Sequence, residues 1–148
     1  MNTKINTASD TPNANDSVFV IEQLKYQATV GGKAGRFVDM VWDTEPMKNG
    51  APRKELVLGV ELEERDDSGQ PFQVRQAFNF LPRGRGKTEF KKQMESFFGA
   101  PLTPAQLAGF SKASIVGKPV IVNYKTDHLG HVVFDKFTPV MPTQPPAA

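Results

Sequence analysis

Residues 55–81 read ELVLGVELEERDDSGQPFQVRQAFNFL, and this stretch decides the fold class. Leu56, Leu58, Val60 and Leu62 recur at every second position, with Glu55, Glu61 and Glu63 largely on the opposite face. After the turn Asp66-Asp67-Ser68-Gly69, the residues Phe72, Val74, Phe78 and Phe80 keep the same period as far as Leu81. A strand sends successive side chains to opposite faces, so a period of two marks a half-buried strand. Two such runs around an Asp/Ser/Gly loop predict a β-hairpin.

Working outward, Arg36–Thr44 alternates Val38, Met40 and Trp42 against Asp39 and Asp43, which predicts a strand. Val18–Val30 alternates through Val20, Leu24, Tyr26, Ala28 and Val30, is broken by Glu22 and ends at Gly31-Gly32, which predicts another. Downstream, Phe90, Met94, Phe97 and Phe98 fall at i, i+4, i+7 and i+8, the apolar stripe of a helix over 88–98. Gly99 and Pro101 stop it. Thr103-Pro104-Ala105-Gln106 matches a capping box with proline at the first helical position, predicting a short second helix to about Phe110. Strands return at Lys118–Lys125 and His131–Thr138, joined by Asp127-His128-Leu129-Gly130.

Residues 1–16 are polar and aperiodic and are expected to form a disordered arm. Pro139–Ala148 carries four prolines and no charge. The expected organisation is therefore an arm (1–16), a single domain (17–140) and a flexible Pro-rich tail (141–148). The order of four strands, one or two helices and two strands makes the domain mainly β. An antiparallel barrel of five to six strands, with the helix inserted before the last two, resembles an OB-fold. A generic α+β sheet with helices on one face accommodates the same order.

The chain has 148 residues, 39% hydrophobic and 23% charged, which suits one globular domain. The absence of cysteine excludes disulfide scaffolds, thiolate metal sites and cysteine nucleophiles, and fits a reducing compartment. No apolar run approaches the roughly 20 residues that span a bilayer. The opening MNTKINTASD lacks the apolar core of a secretory signal, so a soluble cytoplasmic protein is expected. Two histidines are too few for most all-protein zinc sites, and the composition argues against a hydrolytic enzyme.

The net charge of +2 is unevenly distributed. Residues 1–73 carry 8 Lys and Arg against 12 Asp and Glu, whereas residues 74–148 carry 10 against 4. Arg83, Arg85, Lys87, Lys91 and Lys92 crowd ten residues opposed only by Glu89, just after a strand bearing Arg75 and Asn79. Gly84 and Gly86 thin this loop and are expected to open backbone N–H groups to a phosphate ahead of a helix N-terminus. The ending Gly86-Lys87-Thr88 suggests a nucleotide-binding P-loop, but that motif needs glycine where Leu81 stands. The remaining reading is a polyanion contact, weighed against a solvated surface loop.

Aromatic residues on strands, Tyr26, Trp42, Phe78, Phe80 and Tyr124, offer rings on which a nucleobase can stack. Trp42 and Tyr124 fit best, because each can stand half exposed with its polar edge satisfied. Asp43 and Glu45 beside Trp42 make its sequence neighbourhood acidic. His128 and His131 around a turn with Asp127 lack a third ligand and a rigid frame, and read as turn residues. Glu61, Glu63, Glu64, Asp66 and Asp67 read as the solvated end of the hairpin. No Ser/His/Asp arrangement and no dinucleotide fingerprint is visible.

Four segments together, PFQVRQAFNF (71–80), KTEFKKQMESFFG (87–99), LTPAQLAGF (102–110) and IVGKPVIVN (115–123), carry a resemblance. With the following Gly-containing turn and Phe134–Pro142, they resemble small bacteriophage replication-region proteins that look like single-stranded-DNA-binding proteins of OB-fold type. The resemblance spans roughly residues 36–142. It implies a non-catalytic protein that coats single strands in phage replication or recombination, in the bacterial host cytoplasm. Implied partners are single-stranded DNA and replication or recombination proteins, with no membrane and no cofactor. Oligomeric state stays open, a homo-oligomer included. Residues expected to touch the strand are Arg75, Arg83, Arg85, Lys87, Lys91, Lys118, Tyr124, Lys125, Trp42 and Phe78. Such proteins in bacteria usually end in an acidic tail; this chain ends Pro-Thr-Gln-Pro-Pro-Ala-Ala, so recruitment through a tail is not expected. The competing function is a protein-interaction module, a phage adaptor or inhibitor using the acidic hairpin 61–67.

Overall fold

The computed structural model describes residues 26–146. The hairpin forms where its period places it, as β2 (Glu55–Arg65) and β3 (Pro71–Asn79). Leu56, Leu58, Val60, Leu62 and Phe78 are buried on one face, as the alternation requires. Upstream runs β1 (Gly31–Asp43). After β3 come the helices α1 (Gly86–Phe98), α2 (Pro104–Ala108) and α3 (Lys112–Ile115), then β4 (Pro119–Thr126) and β5 (Val132–Pro139). The five strands make one open antiparallel sheet in the order β3-β2-β1-β4-β5. The chain is mainly β, with five strands, within the five to six expected, in an open sheet, and three short helices rather than one or two among the described residues.

The first predicted strand, Val18–Val30, is described only at its end. Residues 26–30 have no strand geometry, and the rest of Val18–Val30, like the arm 1–16, lies outside the described residues. Gly31-Gly32, read as a terminating turn, instead opens β1. The reason is close strand approach: a Cβ on Gly35 would strike the Glu61 carbonyl, and one on Gly32 would stand 2.7 Å from Ile121 Cγ2. These glycines let β1 pair with β4 over Gly31–Arg36 and with β2 over Gly35–Asp43.

A register shift between Phe37 and Asp39 changes which side chains of β1 face the core. One extra residue in a strand reverses the alternation beyond it. Gly35 and Phe37 lie opposite Leu62 and Val60, and after the bulge Met40 and Trp42 lie opposite Leu58 and Leu56. Simple alternation from Val38 therefore misses Phe37, which is fully buried.

Helix α1 lies between the two sheet edges, packing on both β3 and β5. Phe90, Met94, Phe97 and Phe98 enter the core as the stripe predicts. The Thr103–Gln106 capping box forms with both of its hydrogen bonds, although α2 ends at Ala108 rather than Phe110. Of the Pro-rich tail, Pro146 offers its carbonyl to Gln106 Nε2 at 3.0 Å.

Gln93 is the one buried polar side chain among the described residues, 5% exposed. Its Nε2 donates to the Asp135 carbonyl (3.1 Å), and its Oε1 accepts from the Phe137 amide (3.0 Å). An amide that donates and accepts two residues apart does what a neighbouring strand would do for β5. Ser96 Oγ adds a bond to the Phe137 carbonyl at 2.7 Å. Gln93→Leu keeps the apolar contact area but orphans both backbone groups, each worth roughly 1–3 kcal/mol if water cannot replace the bond. Because Gln93 borders a water-accessible groove, one repaired bond is expected and the net loss in urea unfolding is about 1–3 kcal/mol. A Leu variant as stable as the parent would mean that β5 needs no partner there.

Candidate nucleic-acid interface

The basic loop folds back on the end of β3. The Leu81 amide donates to Asn79 Oδ1 at 2.9 Å, and the Gly84 amide donates to the Leu81 carbonyl at 2.7 Å. Gly86 is buried against the Asn79 backbone, so closely that a Cβ would overlap it. The glycines serve this fold-back, and the Gly84 N–H, expected to face a phosphate, is already committed. Arg85 caps α1 without a side-chain hydrogen bond. Arg83, Arg85, Lys87, Lys91 and Lys92 all stand exposed. Lys91 lies 3.9 Å from Glu95; the other four form no ion pair among the described residues.

Beside this loop a groove of about 580 Å³ runs between β3, α1 and the β4–β5 pair. Arg85, Lys92, Lys125 and Lys136 line it against the acids Glu89 and Asp135, with Phe134 also in its wall. Asp135 is held by Lys125 at 3.5 Å. The arrangement joins cations from a loop, a helix and two strands. Lys136 is the member that sequence reasoning misses. It stands alone next to Asp135, with no local cluster to signal it, and only the sheet order brings it across from Arg85.

Of the other expected residues Phe78 borders the groove, and the rest are dispersed. Arg75 projects from β3 opposite Gly59, in the row that continues to Asp39. Lys112 reaches Asp39 at 3.0 Å, and that bond holds the Asp39 carboxyl below the usual carboxylate range. Lys118 sits on the α3–β4 connection, its backbone tied to Phe37 and Ile115, and lines neither the groove nor the loop. Phe78 is 4% exposed and stands edge-on to Phe90 at 5.6 Å. That ring belongs to the core and has no face to give a base, because the alternation that marked it as aromatic on a strand also points it inward.

Trp42 is half exposed and edge-on to Phe80 at 5.0 Å. Its surroundings are less acidic than the sequence suggests: Asp43 is paired with Arg53 at 2.8 Å, and Lys54 Nζ lies 5.6 Å over the indole. Tyr124 is half-buried 6.3 Å from Tyr26, which packs on Phe72 and donates its hydroxyl to Glu64 at 2.9 Å. Tyr124 thus joins an aromatic cluster next to the acidic hairpin, apart from the basic loop.

Burial pushes the Tyr124 phenol up, and burial followed by the Glu64 hydrogen bond pushes Tyr26 up further. A raised phenol contributes stability that is complete below the unfolded value, about 10, and is lost as pH climbs toward the folded value. The chain has only two tyrosines, so absorbance at 295 nm resolves this. The phenolate band is expected to rise later in native protein than in concentrated urea, with melting temperature falling above about pH 10. Coincident native and denatured titrations would refute both shifts.

Asp66 of the acidic cluster and Asp127 beside the histidines serve turn geometry. Asp66 Oδ1 accepts from the Ser68 hydroxyl and from the Ser68 and Gln70 amides, and the hydroxyl bond leads in lowering its carboxyl. Asp127 Oδ1 accepts from the Leu129 and His131 amides at 2.8 Å. No group of three or more metal-ligating side chains occurs among the described residues. No helix of the described residues is long and apolar enough to cross a membrane. No family model, curated protein or solved structure matches the chain.

Proposed function

We propose that this chain is a non-catalytic protein that binds single-stranded DNA with little regard to sequence. The observation that carries the reading is the groove between β3, α1 and β5, where Arg85, Lys92, Lys125 and Lys136 outnumber the acids Glu89 and Asp135 by two, Lys125 and Asp135 being paired with each other. A sugar-phosphate chain suits that charge balance, and cations spaced along a groove neutralise successive phosphates. The exposed loop cations Arg83 and Lys87 extend the positive surface from one end of the groove.

The domain is proposed to be of OB type. In support, β1 is shared between β2 and β4, and a helix inserted between β3 and β4 occupies the space between the sheet's two edge strands. A partly open five-stranded barrel of that type binds oligonucleotides. Following the sequence resemblance to phage single-strand binders, the activity is proposed to serve DNA replication or recombination in a host cytoplasm. An interaction module acting through the acidic hairpin would have fewer open carboxylates than the sequence suggests, because Glu64 and Asp66 are engaged by Tyr26, Ser68 and Gln70.

Fluorescence anisotropy of labelled oligo(dT), titrated at several salt concentrations, tests the reading. The slope of log affinity against log salt for single strands is roughly −0.7 per phosphate neutralised, so the three groove cations outside the Lys125–Asp135 pair, together with Arg83 and Lys87, give about −3.5. A duplex of equal length is expected to bind more weakly. Absence of binding at low salt, or equal affinity for duplex, would sink the proposal.

A further inference from the structure

Across the first turn of α1 from the groove lies a second depression, of about 380 Å³. Its walls are aromatic. Trp42 stands edge-on to Phe80, Phe80 meets Phe90 at 6.1 Å, and Phe90 meets Phe110 edge-on at 5.3 Å. Leu107 and Ala108 of α2 complete the wall. The capping box at Thr103 fixes this short helix in place beside the opening.

Two ammonium groups attend this apolar slot. Lys87 is part of its lining, and Lys54 Nζ lies 5.6 Å over the Trp42 ring. Neither forms an ion pair among the described residues, and the nearest acid in sequence to Trp42, Asp43, is taken by Arg53. The chemistry that fits rings inside and cations outside is a flat apolar body joined to an anion. We infer that the slot holds one nucleobase of a bound strand, with its phosphate at Lys54 and Lys87; the inference rests on the single-strand reading above. An apolar peptide side chain would use the rings but leave both cations without a partner. Lys87 also belongs to the basic loop that leads through Arg85 into the groove, so the flanking phosphates have a continuous path. With aromatic and aliphatic side chains forming the walls, any base can be accepted, because every base presents a π-face.

The test uses the full chain, whose single tryptophan is Trp42, with two labelled strands of equal length: oligo(dT) and a fully abasic oligonucleotide. Anisotropy reports binding on any face, and Trp42 emission reports the slot. Oligo(dT) is expected to raise anisotropy and change Trp42 emission, whereas the abasic strand raises anisotropy alone. Ala108→Phe fills the slot without removing a buried side chain. It is expected to weaken oligo(dT) binding roughly 5- to 150-fold, the equivalent of one lost stacked base, and to leave abasic binding unchanged. Should that variant fail to fold, Trp42→Ala is expected to give the same anisotropy result. Unchanged Trp42 emission at saturation, an equal emission change with the abasic strand, or parental oligo(dT) affinity in the variant overturns the slot and leaves the single-strand reading standing. No anisotropy change with either strand overturns both.

Discussion

Phe97→Ala is expected to cost about 3–5 kcal/mol of stability, the range for removing a large buried aromatic side chain. The ring is 0% exposed and stands edge-on to Phe37 at 5.2 Å, with Phe98 4.9 Å away. Phe37 in turn meets Phe137 at 5.1 Å, so the three rings link β1, α1 and β5. An alanine would leave a cavity at the joint where the helix meets the sheet. Relaxation is limited, because the Gln93 and Ser96 hydrogen bonds hold the helix to β5 on the same stretch. Against a typical total of about 5–15 kcal/mol, such a loss removes at least about a fifth of the stability and lowers the urea midpoint in proportion. A change below about 1 kcal/mol would mean that the helix does not seal the core.

That joint shows which parts of the fold the sequence makes legible. The hairpin, the α1 stripe and the Thr103 cap are local patterns, and each is set by residues within a turn or two of one another. Phe37 is different: its inward placement depends on a bulge, and nothing in a regular alternation marks the extra residue. Gly31 and Gly32 mislead for a related reason. A glycine pair signals a turn on its own, yet here Gly31 takes a positive φ at the start of β1 and Gly32 is crowded by Ile121 of β4, and neither need ends the strand. Gln93 reads as an ordinary polar helix position, since its role depends on the exposed edge of β5. The site divides in the same way. The basic loop is visible as a run, whereas Lys136 joins it only through tertiary arrangement, and Phe78 borders the groove with a ring that is almost wholly buried, because its face of the strand points to the core.

Replacing Arg83, Arg85 and Lys87 together with alanine is expected to flatten the salt dependence of single-strand binding by about 2 in the log–log slope. Each cation that neutralises one phosphate contributes roughly 0.7, through the counterions it displaces. Near 0.1 M salt the same loss weakens affinity about a hundredfold, taking counterion release as the whole contribution of the three side chains. The loop itself should survive. Its geometry is held by Asn79, Leu81, Gly84 and Gly86, and the three substituted side chains are exposed, so stability should change by less than about 0.5 kcal/mol per site. Arg75→Ala supplies the contrast: that side chain lies in the row with Asp39, outside the groove, and its removal is expected to leave the slope unchanged. The two variants separate location from net charge, since a protein that attracts DNA merely by being basic would lose about a third as much slope with Arg75→Ala as with the triple change. Equal slopes in parent and triple variant would make the loop a solvated connector and move the strand to another face.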